Sequence, residues 1–101
     1  MKEQQQQEKP LFSVSPPLYH TFMQAFELHH IHLYDADPAG VEKENGIEVV
    51  LRYGDRFQHE TRKCFSFSDI ENAPLVAEFF NQAAESCKEV LIADYYKMMK
   101  S

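Results

Sequence analysis

The spacing of apolar positions changes along the chain, and each change marks an element. Between Pro17 and Leu28, Leu18, Phe22, Ala25 and Phe26 fall at i, i+4, i+7 and i+8, and Pro17 suits a first helical turn, so a short amphipathic helix is predicted over 17–28. From His29 to Asp35 the period shortens to two. Ile31 and Leu33 alternate with His30, His32 and Tyr34, the pattern of a strand with one buried face. Residues 35–46 read as an acidic loop with Pro38, Gly40 and the turn dipeptide Asn45-Gly46. Ile47, Val49, Leu51 and Tyr53 then alternate inward in a second strand, 47–53, and the Gly54-Asp55 turn leads into a third strand, 57–67. Two hairpin registers compete. A two-residue loop sets Leu51 opposite Gln58; a three-residue loop sets Leu51 opposite His59 and Val49 opposite Thr61, which is chemically better and implies a nearby bulge.

Ser68-Asp69-Ile70-Glu71 has the form of a capping box, and Asn72 with Pro74 gives a second helix start. A long helix over 74–99 follows, because Val76, Phe80, Ala83, Cys87, Leu91, Tyr95 and Met98 recur every three or four residues. Such a helix outruns a seven-residue strand by roughly 14 Å, so its last turns bend, overhang or meet a partner. The expected architecture is α+β in the order α-β-β-β-α, a three-stranded antiparallel sheet of 29–35, 47–53 and 57–67 with both helices on its apolar face. Its predicted core is Phe22, Phe26, Ile31, Leu33, Ile47, Val49, Leu51, Phe65, Phe67, Val76, Phe80, Ala83, Cys87 and Leu91. Residues 1–16 form a flexible Gln-rich tail and an arm that can order through Leu11, Phe12 and Val14; residues 17–101 form one domain.

Composition narrows the function. The chain has 101 residues, 44% hydrophobic and 13% aromatic, enough for one core. A formal charge of −6 opposes phosphate backbones and anionic membranes, so nucleic acid is an unfavoured partner. The charge is uneven, with six acids and one Lys over 27–48 against four bases and two acids over 52–63. Cys64 and Cys87 lie outside any zinc-ribbon or disulfide spacing and are expected to be reduced, buried thiols. The longest purely apolar run is Val90-Leu91-Ile92-Ala93, so no membrane span is expected and a cytoplasmic location fits best.

Several groups bear on chemistry. His30 and His32 on a strand would project from one face and grip a divalent metal, with His59 or Asp35 completing the set; the alternative is that both are exposed residues opposite Ile31 and Leu33. His59 near Glu60 or Cys64 resembles a base and nucleophile pair, but Cys64 falls on the opposite face of the strand. Gly40, Gly46 and Gly54 are scattered in loops, so neither a dinucleotide nor a P-loop motif exists and no nucleotide cofactor is implied. Arg52, Arg56, Arg62 and Lys63 interleave with Tyr53, Phe57 and Phe65 as in single-strand stacking platforms, against ordinary pairing with Glu48 and Glu60. The element order is similar to that of double-stranded RNA-binding domains, but the Lys cluster that opens their second helix is replaced here by Asn72-Ala73-Pro74-Leu75-Val76-Ala77-Glu78. Tyr95, Tyr96, Met98 and Met99 combine rings and flexible thioethers at a helix end, a composition that suits a protein partner or a homodimer. The leading expectation is a small acidic, non-catalytic protein-interaction module acting by protein contact or self-association. Its rivals are a metal-binding protein or metal-dependent enzyme using the His-x-His pair, and an acidic inhibitor or nucleic-acid mimic.

Overall fold

The computed structural model describes residues 7–32 and 35–100 of the chain. In order they form β1 (Lys9–Pro10), α1 (Leu11–Val14), α2 (Pro16–Leu28), β2 (Ala36–Lys43), β3 (Gly46–Tyr53), a 3-10 turn (Asp55–Phe57), β4 (His59–Ser66), α3 (Phe67–Ile70) and α4 (Ala73–Lys100). The class is α+β with an antiparallel sheet and a long C-terminal helix. The sheet has four strands in the order β1-β2-β3-β4, not three.

Helix α2 starts where its sequence signals place it. Ser15 caps it, accepting from the Leu18 N–H at 3.4 Å, and Pro16 and Pro17 occupy the first turn, where no intrahelical donor is needed. Its end explains why residues 29–32 do not begin the strand expected over 29–35. His30 takes a left-handed φ of 60°, its N–H donates to the Glu27 carbonyl, and the Ile31 N–H donates to the Phe26 carbonyl. This is a Schellman closure, and it commits the backbone groups of 30 and 31 to the helix rather than to a ladder. Ile31 is buried with Phe26 as the apolar contact of that motif, so its burial has a helical and not a strand cause. Leu33 and Tyr34 lie outside the described residues.

The missing strand is β2, in the stretch read as an acidic loop. It pairs with β3 over its full length, Ala36 opposite Tyr53 through Lys43 opposite Gly46. Pro38 is tolerated because β1 pairs only with Ala39 and Gly40, leaving the outer side of Pro38 without a strand partner. Gly40 is needed for close approach: a β-carbon there would lie 3.2 Å from Leu11 Cδ1 and 3.3 Å from Val14 Cβ. The arm formed by β1 and α1 thus lies on the sheet, with Leu11 fully buried.

The β3–β4 register differs from both expectations. Tyr53 pairs with His59, Leu51 with Thr61 and Val49 with Lys63, because the connection is longer and contains the 3-10 turn. Gly54 at φ 87°, Arg56 at 57° and Phe57 at 54° all turn left-handed there, and the Phe57 N–H closes onto the Gly54 carbonyl at 2.9 Å. After β4 the capping box is made by Ser66 and Asp69, not Ser68 and Glu71. It turns Phe67 into α3 and leaves it exposed instead of in the core. Asn72 then caps α4 by accepting from the Leu75 N–H at 3.3 Å.

The main core lies between the sheet and helices α2 and α4. Phe22 packs on Phe26 at 4.5 Å between ring centroids and on Phe80 at 6.0 Å, while Phe65 meets Phe79 at 5.5 Å. Ile47, Val49, Leu51 and Tyr53 supply the floor, Val76, Phe80, Ala83, Ala84 and Cys87 the roof; Leu91 is only partly buried.

Candidate functional site

The residues considered for metal binding are dispersed. His30 sits in the left-handed turn that closes α2, not on a strand, so it and His32 lack the shared strand face assumed for them. His59 stands exposed at the far end of the sheet, stacked on Tyr53 at 5.7 Å and close beside Gly54. Asp35, half-buried, precedes β2. Among the described residues no group of three or more His, Cys, Asp or Glu side chains is placed to hold a metal ion. His29, which sequence reasoning passed over, instead pins α2 to α4, its Nε2 lying 3.2 Å from Asn81 Oδ1.

The thiols differ from each other. Cys87 is buried, and burial pushes its pKa up to about 11, which keeps it a protonated, unreactive core residue. Cys64 is exposed, correcting the expectation that it is buried. It pairs with Glu48 on the outer face, whereas His59 is on the helix face, so the two do not meet. A cleft of about 510 Å³ runs past Cys64 between the β2–β3 hairpin tip and the β4–α3 junction, lined by Asn45, Ile47, Phe65, Ser66 and Asp69. Its Ser66 and Asp69 side chains are already engaged in the capping box.

Of the basic residues interleaved with aromatics, Arg52 and Arg62 are paired with carboxylates, and Lys63 Nζ lies 5.7 Å from the centroid of the Phe65 ring. Arg52 holds Glu8 through two bonds of 2.7 and 2.8 Å and reaches Glu60 at 3.2 Å. Arg62 contacts Glu60 at 2.5 Å, Glu48 at 3.5 Å and Glu8 at 3.6 Å, and Lys43 contacts Glu48 at 3.7 Å. Hydrogen bonding to Arg52 holds the Glu8 carboxyl below the usual carboxylate range, and bonding to Arg62 does the same for Glu60. The same partners raise the two guanidinium groups further, so they stay charged. Glu8 was invisible to sequence reasoning because it lies at the end of the Gln-rich tail, where no local pattern marks a partner four decades of residues away in the chain.

The outer end of α4 has a different character. The 28-residue helix is about 42 Å long against about 27 Å for an eight-residue strand. Its contact with the end of the sheet is marked at Gly54, where a β-carbon would lie 3.0 Å from Val90 Cγ1. Beyond Val90, Ile92 is 49% exposed and Tyr95 and Tyr96 are each 61% exposed. At 100° per residue, Ile92 and Tyr96 stand about 140° and 180° around the axis from Cys87, so they are not a frayed continuation of the core stripe. Upstream on that side the helix carries Glu78, Glu85 and Glu89. Met98 and Met99 belong to α4, but their side chains lie outside the described residues. Tyr95 and Tyr96 were legible as candidates. Ile92 was hidden inside the apolar run Val90–Ala93, although its rotation away from the core stripe is a usable signal.

No helix among the described residues is long and apolar enough to cross a membrane. Comparison with protein-family models, curated proteins and solved structures returns no match.

Proposed function

We propose that this protein is a non-catalytic interaction module whose contact surface is the outer end of α4. The observation that carries this reading is the exposure of Ile92, Tyr95 and Tyr96 on a helix end that projects past its own sheet. Large apolar and aromatic side chains held exposed at one helix end are characteristic of contact surfaces, since rings add buried area with little loss of freedom. The pairing of Arg52 and Arg62 with carboxylates favours a protein over a nucleic acid, because phosphate contacts would first have to displace Glu8, Glu48 and Glu60. Two free thiols fit a cytoplasmic setting.

The test is affinity capture and concentration-dependent sedimentation of the full chain beside the double variant Ile92→Asp/Tyr96→Asp. Both changes replace exposed side chains, so thermal unfolding should stay within about 0.5 kcal/mol of the parent. Every specific association of the parent should vanish in the variant. Associations that survive the double change would place the contact elsewhere and overturn this reading.

A further inference from the structure

We infer that the partner for this helix end is a second copy of the same chain, docked antiparallel about a two-fold axis near residue 94. The inference rests on the reading of α4 as the contact surface and adds the identity and orientation of what covers it. Charge supplies the argument. Residues 85–94 carry three acids and one Lys, whereas residues 95–101 carry two Lys and no acid. On the side of Ile92 and Tyr96, Glu85 and Glu89 come before them at about 160° and 200° around the axis from Cys87 and position 100 follows at about 220°, whereas Asp94 falls on the core stripe and Lys97 turns off that side. A parallel pairing sets like charge against like. An antiparallel pairing about residue 94 sets Glu89 of each copy beside position 100 of the other, twice, by symmetry.

The apolar positions agree with that axis. If Ile92 of one copy lies against Tyr96 of the other, the axis passes position 94, the second Ile92–Tyr96 contact follows automatically, and Tyr95 comes within two residues of its own symmetry mate. Glu89 then falls within one residue of position 100 of the second copy, and the two positions share a flank: they stand about 200° and 220° around the axis from Cys87. Upstream extension is limited, because the same face turns polar at Glu89 and Glu85. The overlap is thus confined to roughly the last thirteen residues, about 20 Å of helix, and such a contact falls at the small end of specific interfaces, where micromolar dissociation constants are common.

Two measurements test this together. Sedimentation of the full chain from about 1 to 500 μM should show a monomer–dimer equilibrium that weakens at least tenfold in Tyr96→Asp while thermal unfolding is unchanged. In a Cys64→Ser background, Glu89→Cys and Lys100→Cys variants should form a mixed disulfide when combined under mild oxidation, and little of either self-disulfide, because like positions lie about 15–18 Å apart along the axis. A dimer that forms Glu89→Cys self-disulfides instead is parallel and overturns the proposed orientation, as does a dimer insensitive to Tyr96→Asp. A chain that stays monomeric at 500 μM overturns the inference. If that monomer still binds another protein through Ile92 and Tyr96, the contact-surface reading survives; if it binds nothing, both fall.

Discussion

Val49 and Val50 are neighbours on β3, both fully buried, and they face opposite surroundings. Val49 faces the helices and belongs to the main core with Phe22, Phe80 and Cys87. Val50 faces the other side, in a row with Ala39 and Arg62, and lies outside that core. Among the described residues no helix packs on the outer face. On the same face as Val50 lies the lattice of Glu8, Arg52, Glu60, Arg62 and Glu48. The methylene stems of arginine exclude water from an apolar neighbour while the charged heads remain hydrated. Burial by itself does not identify a core: one valine sits in packing that salt does not touch, the other on a face that carries ion pairs, which salt weakens.

The greatest expected effect is on the packed face. Phe80→Ala removes a fully buried ring that touches Phe22 and Phe79, and should cost about 3–5 kcal/mol in chemical denaturation. A loss below about 1 kcal/mol would mean that α4 is not seated on the sheet as described.

The two valines sharpen the contrast directly. Val49→Ala should cost about 2 kcal/mol, from two lost methylene equivalents and a cavity that rigid neighbours cannot fill. Val50→Ala should cost about half as much, because long arginine side chains resettle over a smaller residue. Equal costs in matched urea titrations would show that the outer cover is as stiff as the core.

Arg52→Ala probes the cover itself. Its partners are on the surface, so the loss should be no more than about 1 kcal/mol and should shrink further in 1 M salt, where the screening length is about 3 Å. The loss should be accompanied by faster amide exchange at Val50 than at Val49. A loss that salt leaves unchanged would assign the effect of Arg52 to packing.

These outcomes bear on what the chain declares in advance. The two helices and β3 were legible because their apolar period is long and uninterrupted, from Leu18 to Phe26, Ile47 to Tyr53 and Val76 to Leu91. Strand β2 was not, because an inner strand built from Ala36, Pro38 and Gly40 offers small side chains where the arm and α1 come close, and these residues imitate a loop. The false strand at 29–35 has the converse cause, an apolar contact of a helix closure that mimics alternation at Ile31. Of the candidate sites, the aromatic helix end was readable from Tyr95 and Tyr96, since local sequence carries it. The charge lattice was only half readable, because Glu48 and Glu60 lie in the same hairpin as the arginines while Glu8 reaches them only through the β1–β2 pairing.

The smallest effect concerns acid. Arg52 depresses the Glu8 carboxyl and Arg62 depresses that of Glu60, so in the folded chain both release protons at lower pH than in the unfolded chain. The unfolded state therefore binds more protons in that window, and stability falls as pH is lowered. The contribution is fully present above the ordinary carboxylate range of about 4.3 and is lost progressively as pH drops through the depressed folded values. Glu8→Gln with Glu60→Gln should flatten the acid limb of a stability-against-pH curve while leaving its slope above pH 6 unchanged, and 1 M salt should flatten the parent curve in the same way. Because both groups are exposed to solvent, the change is expected to be a modest one, and it should be absent in Arg52→Ala/Arg62→Ala, whose carboxylates have lost the partners that depress them. An acid limb equally steep in all three proteins would place the proton uptake on other carboxylates and remove the charge lattice from the account of how Val50 is kept dry.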